Sequence, residues 1–339
     1  MDIIDLFRSY TKMDVWGEYL NKYRKLKPVN MPVRNAVFGP AIFWHDVTLP
    51  FSEIKDTLTN VPVVRRGSAS LALMDEGAEA NGIEPQGFVM SQHVTAARLN
   101  NLKSQGLKMP KQYFDLQNDK MLKRIDKGIE AMCCQALSGR VEYPLKLENG
   151  QFDTFSINYG TPAVYQAAAG NINLADPNTK LSDVFKMLQA MEQNIEDNGY
   201  GGSSLTYAGR VAFSHIMDKA TSNNTRNIQV TINENEITIG GYKVVRLSGK
   251  YDTIVGGRQA KVDKMPEDAL CMVDLEAGHS FYYLAIDDLD AGLKALPFFS
   301  KTVKVEDPSG ATIIGYSKPV PVVVVGAICW CNDAVAAVA

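Results

Sequence analysis

The strongest constraint on this fold is near the end of the chain, in the run EDPSGATIIGYSKPVPVVVVGAICW from Glu306 to Trp330. A turn at Pro308–Gly310 leads into an apolar run, which Pro319 and Pro321 interrupt. The unbroken block Val322–Val325 follows. An alternating pattern would mark a strand with one wet face, so an unbroken apolar block predicts a strand buried on both faces. The last element is therefore core. It must return to pack on something laid down much earlier, a closure that suggests a structural protein.

A chain of 339 residues holds about two domains, or one elaborate one, and can bury a substantial core. A hydrophobic share of 45% and a charged share of 22% are ordinary for a globular protein. The net charge of −3 excludes a chain that is basic throughout. Basic residues are instead concentrated at the start: Arg8, Lys12, Lys22, Arg24, Lys25, Lys27 and Arg34, against Asp14 and Glu18. Such an arm is either solvated or touches phosphate or an acidic neighbour.

The five cysteines are Cys133, Cys134, Cys271, Cys329 and Cys331, an odd number without a disulfide framework, as expected for reduced thiols in a cytosolic setting. MDIIDLFRSY is too acidic and too broken for a signal peptide. No apolar run reaches the ~18 residues of a membrane-crossing helix, so no membrane partner is expected.

Residues 1–35 read as a helical piece followed by an arm in which Pro28 and Pro32 stop regular structure. From Ala36 to about Thr95, short β-like pieces alternate with turns (AVFGPAIFWHDV, VPVVRRGSASLALM, GFVMSQHV). This hairpin-like region has no helix to cover its apolar residues, so it should lean on a partner. Met121, Leu122, Ile125, Ile129, Met132, Cys133, Ala136 and Leu137 then fall at helical spacing. They predict a helix over about 118–137, capped by Asp115 or Asn118 and ended at Gly139. VEYPLKL and FDTFSINYG flank Asn149–Gly150, which signals a two-residue turn. Beyond Thr161 the texture is α/β. Helices are expected around Val184–Ile195 and Val211–Met217, and strands at IQVTI, EITIG, YKVVRL and the start of FYYLAIDDLDAGL.

Chemical motifs are weak. The Gly199–Ser204 run follows a helix and lacks GK[ST], so it reads as a loop and not a phosphate cradle. Cys329 and Cys331 lack histidine partners at zinc-site spacing and read as buried free thiols. Asp287, Asp288 and Asp290 lack the calcium-loop pattern and read as a turn or a helix start. No catalytic constellation accompanies any of these, so neither enzyme activity nor a cofactor is expected. Arg65–Arg66 sit on the hairpin as either a solvated pair or a contact to another subunit.

Taken in order, these parts resemble the phage major capsid protein E family, the lambda-type shell proteins with the Hong Kong 97-type fold. VPVVRRG with GIEPQGF is similar to that family's extended hairpin, the E-loop. The Met121–Leu137 helix running into LSGRVEY is similar to its spine helix. FYYLAIDDLD and GYSKPVPVVV resemble two of its later segments. The resemblance implies an α+β chain with an N-terminal arm over 1–40, an E-loop over 41–97 and a peripheral domain with the spine helix over 98–162. An axial α/β domain over 163–317 and a C-terminal strand over 318–339, returning to the peripheral domain, complete it. It further implies hexamers and pentamers in an icosahedral shell that encloses double-stranded DNA without reading its sequence. Assembly would take place in the bacterial cytoplasm with a separate scaffolding protein and a portal, and with or without a decoration protein. Arg24, Lys25, Arg34, Arg65 and Arg66 are the expected inter-subunit contacts. Two alternatives are an encapsulin-like cellular shell and a cytosolic α/β enzyme binding a phosphorylated ligand at Gly199–Ser204.

Overall fold

The computed structural model describes residues 29–49, 84–104, 109–147, 149–170, 172–222, 228–255 and 258–335. Arg24, Lys25, Arg65 and Arg66, with most of the expected N-terminal arm and hairpin, lie outside the described residues. The chain divides into two compact units. The first draws on residues up to Val47, on Pro85–Cys133 and on Ser280–Pro321; the second includes Cys134–His279 and Val322–Ala339. The units therefore interleave along the sequence.

The first unit is organised on a long helix, Met109–Ala136, of which all but the last three residues belong to it. Its 28 residues span about 42 Å. It starts nine residues before the expected Asn118, and Asp115 and Asn118 lie inside it and do not cap it. Pro110 in the first turn is the start signal, because a helix has no use for that missing N–H. The buried stripe extends backwards through Phe114, Gln117 and Asn118. Two of these are polar, and so the apolar period fades before the helix does. Ile125, Ile129, Met132 and Ala136 are buried as expected, and Lys120, Lys123 and Lys127 are exposed.

An antiparallel sheet orders the strands Phe299–Val305, Gly310–Ser317 and Phe88–Thr95. The long helix lies close against it. A Cβ on Gly315 would stand 2.9 Å from the Phe298 ring and 3.0 Å from the Met121 sulfur. A second sheet sets Ala41–Trp44 parallel to Ser280–Leu284, with Pro319–Val322 on the other edge.

Three sequence expectations are corrected here. Pro32 does not stop regular structure: it opens the helix Pro32–Val37, where the fixed φ of proline suits the first turn. Pro319 and Pro321 do not interrupt a strand, because Pro319–Val322 is an edge strand, a place that tolerates proline's missing donor. The valine block is a strand only as far as Val322, and a short 3-10 turn begins at Val325. Val322 and Val323 are buried, but Val324 and Val325 are half-buried.

The second unit is built on a seven-stranded mixed sheet in the order Ala163–Val164, Ile328–Cys331, Leu270–Asp274, Ser204–Ala208, Tyr242–Arg246, Glu236–Ile239, Val230–Asn233. The last described strand thus lies between strands laid down some 60 and 165 residues earlier, so the chain does close on earlier elements, but with Ile328–Cys331 and not with the valine block. Helices Leu181–Glu196 and Arg210–Thr221 cover this sheet. Val184, Leu188, Met191, Ile195, Phe213 and Ile216 pack with Met272 and Cys329 in one apolar cluster. The same unit holds the hairpin Arg140–Lys146 with Phe152–Asn158. Its connection is longer than the expected two residues. Leu147 and Gln151 pair across it, and Gly150 takes φ +81°, as the closing position of a longer hairpin loop requires.

Candidate assembly surfaces

Arg34 is the one expected contact residue among the described positions. The backbone N–H groups of Val33 and Arg34 donate to the buried Glu130 carboxylate at 3.2 and 3.1 Å. The Arg34 guanidinium donates to the carbonyls of Phe38 and Gly39 at 3.0 Å each and lies 4.1 Å from the centre of the Phe281 ring. Half-buried, it ties the short helix to its own unit. The sequence signal was charge alone; the guanidinium is used by two carbonyls four and five positions away and by the ring of Phe281, about 250 positions away.

The first unit exposes apolar side chains on braced backbone. Ile42 and Phe43 are 42% and 48% exposed on the edge strand Ala41–Trp44, where Phe43 stacks on Tyr283 at 5.9 Å. Leu289 is 84% exposed and Leu293 54%, in the acidic turn after Ser280–Leu284. That turn is rigidly held. Asp288 accepts the Asp290 N–H at 2.9 Å and pairs with Lys301, while Lys318, itself buried, pairs with Asp287 at 3.1 Å. Burial alone would raise the Asp288 carboxyl. The Lys301 ammonium and nearby N–H groups win, and hold it below its ordinary value. Leu293 has φ +52°, a left-handed conformation that leucine rarely adopts. The acidic triplet is thus a turn, as expected, but the sequence did not reveal that it presents two leucines to solvent.

In the second unit, the Gly199–Ser204 loop has no free amides to offer a phosphate at its centre. The N–H groups of Gly201 and Gly202 donate to Asp274 at 3.0 and 2.9 Å. His279 lies beside them: its Nε2 donates to the Asp274 carbonyl at 3.0 Å and its Nδ1 accepts the Val324 N–H at 3.1 Å. All five cysteines are buried, and none forms a disulfide. Burial pushes the Cys331 thiol up to about 12, helped by Asp333, and raises those of Cys271 and Cys329. A cavity of about 390 Å³ is lined by Tyr251, Lys264, Pro162, Pro266, Val164 and Trp330. The Trp330 indole N–H is engaged by the Leu137 carbonyl at 2.7 Å.

The long helix, the three-stranded antiparallel sheet and the mixed-sheet unit are together the architecture of a Hong Kong 97-type phage capsid subunit. The putative capsid protein of a prophage of Escherichia coli CFT073 shares the fold, with a TM-score of 0.61 at 14% identity over 94% of this chain and 98% of that one. A phage-related protein from Bordetella bronchiseptica RB50 is more distant, with a TM-score of 0.46 at 11% identity, covering 94% and 97%. No curated protein sequence matches. The family model described as Phage major capsid protein E matches residues 22–330, so the chain belongs to that family. It is a phage head shell protein.

Proposed function

We propose that this chain self-assembles as hexamers and pentamers into an icosahedral shell around double-stranded DNA. Assembly takes place in the host cytoplasm, with a scaffolding protein and a portal supplied as separate chains. In this reading residues 1–40 are an arm and 41–97 an extended loop, both reaching neighbouring copies. Residues 98–162 carry the peripheral domain, 163–317 the axial domain and 318–339 the returning strand. Arg24, Lys25, Arg65 and Arg66 then act between subunits. Arg34 adds any such contact to the bonds it makes at home.

Beyond family membership, the observation that carries the reading is the braced turn with Leu289 and Leu293 in solvent. A strained backbone that exposes two leucines stabilises nothing in an isolated subunit, whereas in an obligate interface it supplies apolar contact. The test is sedimentation with negative-stain microscopy of the purified protein over a range of salt, with and without scaffold. Rings or closed shells are expected. A monomer under all these conditions overturns the reading, and native particles that hold enzymes in place of nucleic acid would assign the shell to a cellular compartment.

A further inference from the structure

The long helix has an exposed face of one sign. Between residues 111 and 135 the exposed positions are Lys111, Gln112, Leu116, Lys120, Lys123, Arg124 and Lys127, with five cations and no carboxylate among them. The acids of this helix point elsewhere. Asp115, Asp119 and Asp126 are half-buried and each has a partner, and Glu130 is buried beneath the N–H groups of Val33 and Arg34. Lys120, Lys123, Arg124 and Lys127 fall at i, i+3, i+4 and i+7, a single stripe about 10 Å long. None of the four forms an ion pair among the described residues. Like charges at these spacings repel and weaken a helix, where a solvated helix would intersperse glutamates.

We propose that this stripe is a binding site for the phosphate backbone of double-stranded DNA, without sequence preference. It rests on the reading of the protein as a DNA-enclosing shell, and it would turn this face of the long helix towards the genome. Nucleic acid suits the stripe better than an acidic protein segment does. Three of the four cations are lysines, which meet phosphates as point charges but are depleted in protein–protein interfaces. The stripe has a single apolar neighbour, Leu116, to serve as an anchor. A row of cations also matches a linear polyanion bearing one charge per ~1.7 Å of axis.

The test uses the full chain and a fluorescein-labelled DNA duplex of about 20 base pairs of arbitrary sequence, followed by anisotropy across a KCl series. Each engaged cation contributes about 0.9 to the slope of log affinity against log salt. Four would give a slope near −3.6, so that a fourfold rise in salt lowers affinity about 150-fold. The double variant Lys123→Gln/Lys127→Gln should lose about 1.8 of that slope. Glutamine keeps helix propensity, and circular dichroism checks the fold. Lys304→Gln, exposed on another element, should leave the slope unchanged. The proposal is overturned if the wild type does not bind the duplex, or if the stripe variant keeps the wild-type slope. It is also overturned if the stripe variant loses particles but not duplex affinity, because the stripe then meets protein. Particle yield is scored on the same preparations. Wild-type shells with an unchanged variant slope sink the stripe alone, whereas a wild type that never forms particles sinks the shell reading.

Discussion

His279 joins two backbone segments that are distant in sequence, the Asp274 carbonyl and the Val324 N–H, and it needs its neutral form to do so. Burial lowers its pKa from 6.5 to about 4, against the raising influence of Asp274. Between those values the unfolded chain holds a proton that the folded chain refuses. The stability that follows is fully present above about pH 6.5 and is lost as pH falls towards about 4. From about pH 7 to about pH 5 the loss is about 2 kcal/mol. Asp288 and Asp333, held below their ordinary value, act only at still lower pH. Urea denaturation of the unassembled subunit should therefore show a steeper decline over this window in the wild type than in His279→Gln. Equal pH slopes in the two proteins would place the proton uptake elsewhere. Nothing local in the sequence singled out this histidine from the other three, because one of its partners, the Val324 N–H, comes from 45 residues further along the chain.

At the scale of elements, the long helix is where periodicity was most informative. Ile125, Ile129 and Met132 fall on its buried face, and Ile129 is 2% exposed. Ile129→Asp would bury a carboxylate with no partner, at a cost of several kcal/mol. The expected outcome is loss of soluble folded subunit, read by circular dichroism and solubility, and not merely loss of assembly. A soluble, assembling variant would show that the helix packs differently. Apolar spacing located the helix and both helices of the second unit, and the Asn149–Gly150 turn signal located the hairpin between them. It failed where other physics decides. Gln117 and Asn118 interrupt the apolar stripe although they are buried, which hid nine residues of helix. Pro319 and Pro321 read as breakers because sequence alone does not say that their strand lies on an edge. Two leucines in an acidic turn carry no sign of exposure, since a leucine in sequence is the same letter in core and on surface.

For the whole molecule, the question is which charges hold a subunit and which join subunits. Arg34 already serves its own chain through Phe38, Gly39 and the Phe281 ring. Arg65 and Arg66 belong to the segment expected to form a hairpin that reaches a neighbour, one whose apolar residues have no covering helix in the sequence. Their order should come from other copies, as charge-assisted contacts to carboxylates of an adjacent subunit. The two classes of arginine then separate in one experiment. Arg34→Ala should lower the melting temperature of the free subunit, because it removes two hydrogen bonds and a ring contact from partly buried surroundings. Arg65→Glu/Arg66→Glu should leave far-UV circular dichroism and melting of the subunit unchanged, yet weaken or block shell formation measured by sedimentation. Normal particle yield from the double glutamate variant would remove the inter-subunit role. A double variant that fails to fold would place Arg65 and Arg66 inside a network of the subunit itself, and the division between holding and joining charges would then have to be drawn elsewhere along the chain.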